Sequence, residues 1–211
     1  MEDVLATYEQ PLNPDEPVVC VDEKPVCLHA DIRPPEPAAP GHEARRDNEY
    51  KRCGTANVFC AVEPRSGRYF TRATSNRSGP EFAKSIASLS SRYRRARTIH
   101  LVMDNLNTHR LKSLTDFYGP ERGLAIWSRF TVHYTPNHAS WLNQAEIAIS
   151  LFSRQCLGKR RIAGLPALTN HAQQWTRRAN RQRVQINWQF TRKAARKRFG
   201  YKINKYRRSE Y

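Results

Sequence analysis

The chain has 211 residues, of which 39% are hydrophobic and 26% charged, and this composition is typical of a globular protein rather than a disordered one. No apolar run approaches the roughly 18 residues that cross a bilayer, and the N-terminus lacks the features of a signal peptide. We therefore expect a cytoplasmic protein with no membrane partner. The odd number of cysteines, five, indicates reduced thiols rather than a disulfide framework.

The positive charge is concentrated near the C-terminus. The formal net charge is +17, but residues 1–150 carry 19 Lys and Arg against 18 Asp and Glu, whereas residues 151–211 carry 17 Lys and Arg against one acid. This asymmetry favours a polyanionic partner such as nucleic acid, and a solvated basic face is the alternative interpretation. The residues that we expect to contact DNA are Lys159, Arg160, Arg161, Arg177, Arg178, Arg181, Arg183, Arg192, Lys193, Arg196, Lys197 and Arg198.

The first part of the chain, after a lead-in segment over residues 1–16, has the pattern of strands. Four apolar residues between Pro17 and Pro25 predict a short buried strand that ends in two acids, Asp22 and Glu23. A proline-rich loop follows, and residues 54–74 then have the alternation and the turn residues of a hairpin.

The apolar run at residues 98–103 predicts a buried strand that presents Asp104 at its C-terminal end. A helix is expected before it, over residues 78–93. An acid at the end of a central strand is a common way for an α/β fold to present a metal ligand or a catalytic acid. Asp followed by Asn is also ordinary turn chemistry, so both interpretations are open at this point.

The second half of the chain alternates helices and strands. We expect a loop over residues 119–127, and a helix from Ser140 to Gly158 that carries Glu146 one and a half turns from its start. Further elements are expected at residues 108–118 (helix), 130–134 (strand), 165–179 (helix) and 192–199 (basic helix or tail). This order predicts an α/β domain with a mixed sheet flanked by helices and a basic helical C-terminal region.

Three acids stand out by their positions: Asp22, Asp104 and Glu146, with Glu23 as an alternative to Asp22. If the two acid-bearing strands are neighbours, these carboxylates can meet at one end of the sheet. Three carboxylates a few ångströms apart repel one another unless a cation neutralises them, and oxygen ligands suit Mg²⁺ or Mn²⁺. A pair of such ions can assist phosphoryl transfer.

Three stretches carry a resemblance to a known family. They are VCVDEK at residues 19–24, LVMDNLNTH at residues 101–109 and TPNHASWLNQAE at residues 135–146. They resemble the catalytic blocks of bacterial insertion-sequence transposases of the mariner-like superfamily, and the similarity continues at residues 50–57 and 187–191. The resemblance implies a DDE catalytic domain of the ribonuclease-H and integrase fold over residues 17–158, with a basic helical extension over residues 159–211 packed on it.

The same resemblance implies a function. Asp22, Asp104 and Glu146 would bind two Mg²⁺ ions, for which Mn²⁺ can substitute, and the ions would assist cleavage at transposon ends and strand transfer to target DNA. We expect Glu23, Asn105, His109, Trp141 and Asn143 at the edge of this active site. The resemblance also implies a double-stranded DNA partner in the bacterial nucleoid and a homodimer assembled on paired DNA ends.

Two departures from the family pattern bear on these expectations. The second and third acids are 42 positions apart (146 minus 104), which is longer than expected, and the extra length is assigned to the loop over residues 119–127. Family members also begin with helix-turn-helix modules, for which there is no room before Asp22. The chain is then a split-frame product, a truncated remnant or a catalytic part used with a separate DNA-reading protein. A decayed transposase that only binds nucleic acid, and a nuclease that never joins strands, are the competing functions.

Overall fold

A five-stranded mixed sheet organises the protein. The computed structural model describes residues 1–202, and the strands of its sheet lie in the order β3-β2-β1-β4-β5. β1, β2 and β3 are antiparallel neighbours, whereas β4 and β5 run parallel to β1. The sheet confirms the predicted mixed α/β architecture. In chain order, the strands are β1 Val18–Asp31, β2 Tyr50–Glu63, β3 Arg68–Thr74, β4 Ile99–Met103 and β5 Phe130–Tyr134.

Helices cover both faces of this sheet. Successive side chains of a strand point to opposite faces, so Val21 and Leu101 pack toward α2 and α3, whereas Cys20 and Val102 pack toward α1, α5 and α6. Each fully buried aliphatic side chain contributes about 1.5–3 kcal/mol to folding. The helices are α1 Glu2–Glu9, α2 Gly79–Arg92, α3 Leu111–Tyr118, α4 Pro120–Trp127, α5 Ala145–Phe152, α6 Leu165–Gln182 and α7 Arg192–Phe199.

Strand β1 is longer than the sequence predicts, because it continues through Pro25 to Asp31. Its parallel pairing with β4 stops at Cys20, so the second half of β1 has only β2 as a neighbour. Proline cannot donate to a sheet ladder and is tolerated where one side of a strand is open. Asp22 therefore lies inside β1, just beyond its last contact with β4, and the prediction that it ends the strand is wrong.

Residues 119–127 are not the predicted loop, because most of them form α4. Gly119 has φ +84°, which reverses the chain after α3, and Pro120 then starts the new helix. A side chain at Gly123 could not be accommodated, since its Cβ would lie 2.7 Å from backbone atoms of Thr115. Glycine thus permits the close contact between α3 and α4.

The predicted long helix from Ser140 is divided in two. A 3₁₀ turn covers Ser140–Leu142, and α5 begins only at Ala145. Asn143 separates them with an extended backbone (φ −78°, ψ 107°), and its Oδ1 accepts a hydrogen bond from the Ala145 N–H. Glu146 is consequently in the first turn of α5, not one and a half turns into a helix. A π turn over Ser153–Leu157 follows α5.

Helices α1 and α6 pack against the sheet. The lead-in segment contains α1, which buries Val4 and Leu5 completely. Helix α6 covers the edge strand β3, where Asn180 accepts a hydrogen bond from the Tyr69 N–H (2.6 Å) and donates one to its carbonyl oxygen (2.9 Å). An amide side chain thus satisfies backbone groups that an edge strand would otherwise expose.

The structure also bears on membrane and redox properties. Among residues 1–202, no helix combines the length and the apolar character that a bilayer crossing requires. All five cysteines are free thiols, as the sequence predicts.

Candidate active site

The two aspartates of the predicted triad lie on one row of the sheet. In the parallel pairing of β1 with β4, Cys20 is opposite Val102. Asp22 follows Cys20 by two positions within β1, and Asp104 follows Val102 by two positions, directly after the end of β4, so the two acids occupy equivalent positions in the register. Cys20 and Val102 belong to the face that α1, α5 and α6 cover. The register of two neighbouring strands therefore brings together residues that are 82 positions apart in sequence (104 minus 22).

Glu146 approaches this row from α5. Helix α5 packs on β1 and β2 through Ala145, Ala148, Ile149 and Phe152, which are buried. Glu146 is an exposed residue of the first turn of α5. After burial, which is the main cause, the negative charge of Glu146 also contributes to the raised pKa of Asp22.

Asp22 has the most perturbed carboxyl of the three. Burial raises its pKa to about 7, and the negative charges of Glu146, Glu23 and Asp104 act in the same direction. A hydrogen bond from the Glu23 N–H to Oδ1 (2.8 Å) partly compensates. Nδ2 of Asn143 lies 3.2 Å from Oδ2. Excess negative charge at this position is what a bound cation would relieve.

Asn143 connects Asp22 to the start of α5. Its side chain is almost completely buried, and Nδ2 donates to the Val21 carbonyl oxygen at 2.8 Å as well as to Asp22. Its Oδ1 accepts from the Ala145 N–H. One amide thus fixes a carboxylate on β1 and the helix turn that carries Glu146.

His109 is completely buried between two carboxylates. Its Nε2 lies 2.6 Å from Oε1 of Glu23, and its Nδ1 lies 2.5 Å from Oδ1 of Asp104. Burial alone disfavours the cation, but hydrogen bonds to Asp104 and Glu23 prevail and raise the pKa of His109 to about 9. The imidazolium in turn lowers the pKa of Asp104. Asp104 is therefore held ionised and oriented.

The surroundings of His109 leave its ring little freedom. The ring stacks on Phe82 of α2, with centroids 4.7 Å apart and planes inclined by 28°. The Tyr134 hydroxyl donates to the His109 carbonyl oxygen at 2.8 Å. Glu23 reaches His109 because it follows Asp22 along β1 and so points to the opposite face of the sheet. Glu23 is thus placed as a partner of His109 rather than beside Asp22.

A cleft of about 250 Å³ opens next to Asp104. The segment after β5 forms its other wall, and the 40% exposed side chain of Asp104 faces it. Asn105 also lines the cleft and is exposed. Trp141 directly follows Ser140 of the lining in sequence, and 44% of its surface is accessible. The cleft is lined by Asp104, Asn105, Leu106, Thr135, Pro136, Asn137, His138 and Ser140.

The chemistry of the three carboxylates fits a divalent cation. In the described part of the chain, no group of three or more His, Cys, Asp or Glu side chains is already arranged to hold a metal ion. However, Asp22, Asp104 and Glu146 offer only oxygen ligands, and the negative charges of Glu146 and Asp104 add to the effect of burial in raising the pKa of Asp22. Oxygen ligands that repel one another favour Mg²⁺ or Mn²⁺ over zinc.

The basic residues predicted to contact DNA fall into two groups. Arg161, Arg192 and Arg196 form ion pairs within the protein, with Asp31, Glu9 and Glu2 respectively. The other residues form no ion pair within residues 1–202 and belong to α6, α7 or the segments beside them: Lys159, Arg160, Arg177, Arg178, Arg181, Arg183, Lys193, Lys197 and Arg198.

Sequence reasoning missed one support of the site. The Tyr8 hydroxyl of α1 donates to the Leu142 carbonyl oxygen at 2.8 Å and lies 3.4 Å from the Gln144 N–H. Helix α1 therefore braces the turn that leads into α5. No feature of residues 1–16 signals this contact, because it depends on the position that α1 adopts on the sheet.

Comparison with known proteins agrees with this arrangement. The family model described as DDE superfamily endonuclease matches residues 17–169. The structure resembles the Mos1 mariner paired-end complex with Mn, with a TM-score of 0.54 and 14% identity over 85% of this chain and 55% of that chain. It resembles the Mos1 strand transfer complex with a TM-score of 0.55 and 14% identity over 87% of this chain and 56% of that chain.

The extent of these matches defines what they establish. No curated protein sequence matches the chain. The chain spans little more than half the length of the Mos1 chains it resembles, and the structural likeness concerns the fold. This likeness of fold confirms the predicted ribonuclease-H-like sheet. Since the family model covers more than half of the sequence, the chain belongs to the DDE superfamily endonucleases.

Proposed function

We propose that this chain is the catalytic domain of a DNA transposase that cleaves phosphodiester bonds at transposon ends and transfers the ends to target DNA. The observation that carries the proposal is the matched position of Asp22 and Asp104 on neighbouring strands, with Glu146 presented to them by the first turn of α5. Membership of the DDE endonuclease family supports it.

Asp22, Asp104 and Glu146 are the residues that would hold the divalent ions, two Mg²⁺ in our proposal, with Mn²⁺ able to substitute. Such ions would activate water or a 3′ hydroxyl and stabilise the leaving oxygen. One Mos1 complex contains Mn, which supports this choice. The protein supplies the geometry: Asn143 fixes the Asp22 carboxylate, and His109 keeps Asp104 ionised and aimed at the cleft.

DNA is the proposed substrate. The Mos1 structures are paired-end and strand transfer complexes, and the C-terminal region of this chain carries nearly all of its excess positive charge. We further propose that a helix-turn-helix module outside these 211 residues reads the transposon end and that two copies of the chain act on paired ends. The reaction would take place on nucleoid DNA of a bacterial cytoplasm.

The test is nicking of supercoiled plasmid DNA with Mg²⁺ or Mn²⁺, compared between the wild type and Asp104→Ala. We expect nicking by the wild type, none in EDTA and loss of at least about 100-fold in the variant. Equal residual activity in both proteins would contradict the proposal and favour a protein that only binds nucleic acid. A strand-transfer assay with a pre-cleaved DNA end separates a transposase from a nuclease that never joins strands.

A further inference from the structure

A small basic pocket lies between the π turn after α5 and helix α6, away from the carboxylate site. Its volume is about 200 Å³, and none of its lining residues is acidic. Three of them carry basic side chains, Arg160, His171 and Arg178. The complete lining is Gln155, Cys156, Arg160, His171, Gln174, Trp175 and Arg178.

Hydrogen bonds within the protein orient the donors of this pocket. Trp175 Nε1 donates to Oε1 of Gln155 at 2.9 Å, so the acceptor end of that amide is occupied and its NH₂ group remains as a donor. Arg160 Nη1 donates to the Cys156 carbonyl oxygen at 2.5 Å, which holds the guanidinium at the end of the π turn. The remaining N–H groups of Arg160 are available to a ligand, because a guanidinium has five.

The two arginines of the pocket come from different elements. Arg160 belongs to the segment after the π turn and Arg178 to α6, and Cys156 lines the same pocket. Burial raises the pKa of the Cys156 thiol, while the charges of Arg160 and Arg178 both oppose the rise, which is consistent with both guanidinium groups being near it. Two guanidinium groups, an imidazole and two amides around a pocket of this size suit a single tetrahedral oxyanion.

We infer that this pocket binds one backbone phosphate of the DNA substrate, an inference that rests on the proposed function. Gln155 follows Glu146 by nine positions (155 minus 146) and belongs to the π turn that directly continues α5, so one continuous helical segment connects the pocket to the carboxylate site. A base is not expected there, because Trp175 is buried and offers no exposed ring.

The experiment uses two matched pairs of variants of the full chain, with a 30-base-pair duplex as the probe. Arg178→Gln and Gln174→Glu change the pocket, whereas Arg154→Gln and Gln173→Glu make the same changes at exposed neighbours that do not line it. We expect each pocket variant to bind at least 10-fold more weakly than its control. Arg178→Gln should also lower the slope of log K against log salt by about 0.9, the value for one phosphate contact.

A measurement on the wild type covers the case in which a variant fails to fold. Diethylpyrocarbonate modification of His171, followed by mass spectrometry, should be slowed at least about fivefold by the duplex, while modification of the exposed His42, which lines neither the cleft nor the pocket, serves as the internal reference. Equal affinities within both pairs of folded variants, or no protection of His171, would overturn the inference. Loss of binding in the pocket variants of a protein that does not nick DNA would uphold the phosphate pocket and refute the proposed catalysis instead.

Discussion

The Nε2 atom of His109 lies 2.6 Å from Oε1 of Glu23, although the two residues are 86 positions apart in sequence. Through its other ring nitrogen, His109 also contacts Asp104. The buried imidazolium of His109 therefore links the carboxylate of Glu23 on β1 to the carboxylate of Asp104 after β4. Metal-binding carboxylates are commonly oriented by such partners, whose loss typically costs 10–100-fold in activity or metal affinity.

Replacement of His109 by Leu should destabilise the protein by about 3–5 kcal/mol, because it leaves the buried carboxylate of Glu23 without its partner. Urea unfolding at pH 7 measures the change. His42→Leu is the control, since His42 is exposed and its replacement should change stability by less than about 0.5 kcal/mol. The double variant Glu23→Gln/His109→Leu should recover part of the loss. A single variant as stable as the wild type would show that the buried pair does not stabilise the fold.

The same pair predicts a pH dependence of stability. The pKa of His109 in the folded protein, about 9, is above its ordinary value of 6.5. Its stabilising contribution is therefore complete below pH 6.5 and is lost as the pH rises from about 6.5 to about 9. The expected loss is about 3 kcal/mol. Free energies of unfolding in EDTA should fall more steeply in this range for the wild type than for His109→Gln, and parallel curves for the two proteins would contradict the assignment.

Asp22 should oppose stability when no metal is bound. Its folded pKa, about 7, lies above the ordinary 3.8, so stability is lost as the pH rises from about 3.8 to about 7. At pH 8 in EDTA, Asp22→Asn should stabilise the protein by about 2–4 kcal/mol. With Mn²⁺ present, the same variant should fail to nick DNA. Asp116→Asn, at a 60% exposed position, should change stability by less than about 1 kcal/mol. A less stable Asp22→Asn protein would mean that Asp22 is not destabilised by its neighbours.

The residue pattern predicts the parts of the fold whose signals are local. The hairpin of β2 and β3 and the strand that precedes Asp104 follow from alternation, turn residues and apolar runs. The extension of β1 through Pro25 does not follow from such local signals, because it depends on which side of the strand remains unpaired in the sheet. Helix α4 could not be predicted either. Gly119 and Pro120 are typical of the end of one helix and also of the start of the next, so the sequence does not distinguish a loop from a new helix.

For the site, the sequence singles out the three acids but not what supports them. Strand alternation could have separated Asp22 from Glu23, because adjacent residues of β1 must point to opposite faces. The pairing of Glu23 with His109 depends on the packing of the loop after β4 against α2 and has no sequence signature. The bracing of the α5 turn by Tyr8 has none either.

The central claim is that Asp22, Asp104 and Glu146 act as one metal centre. The most direct measurement is the rate of plasmid nicking against Mn²⁺ concentration for the wild type, for Asp22→Asn, Asp104→Asn and Glu146→Gln, and for the double variant Asp22→Asn/Asp104→Asn. Groups that act as a unit are non-additive, so each single variant should lose at least about 1,000-fold and the double variant should be no worse than the singles. Nicking at the wild-type rate by any one of the three single variants would contradict the claim.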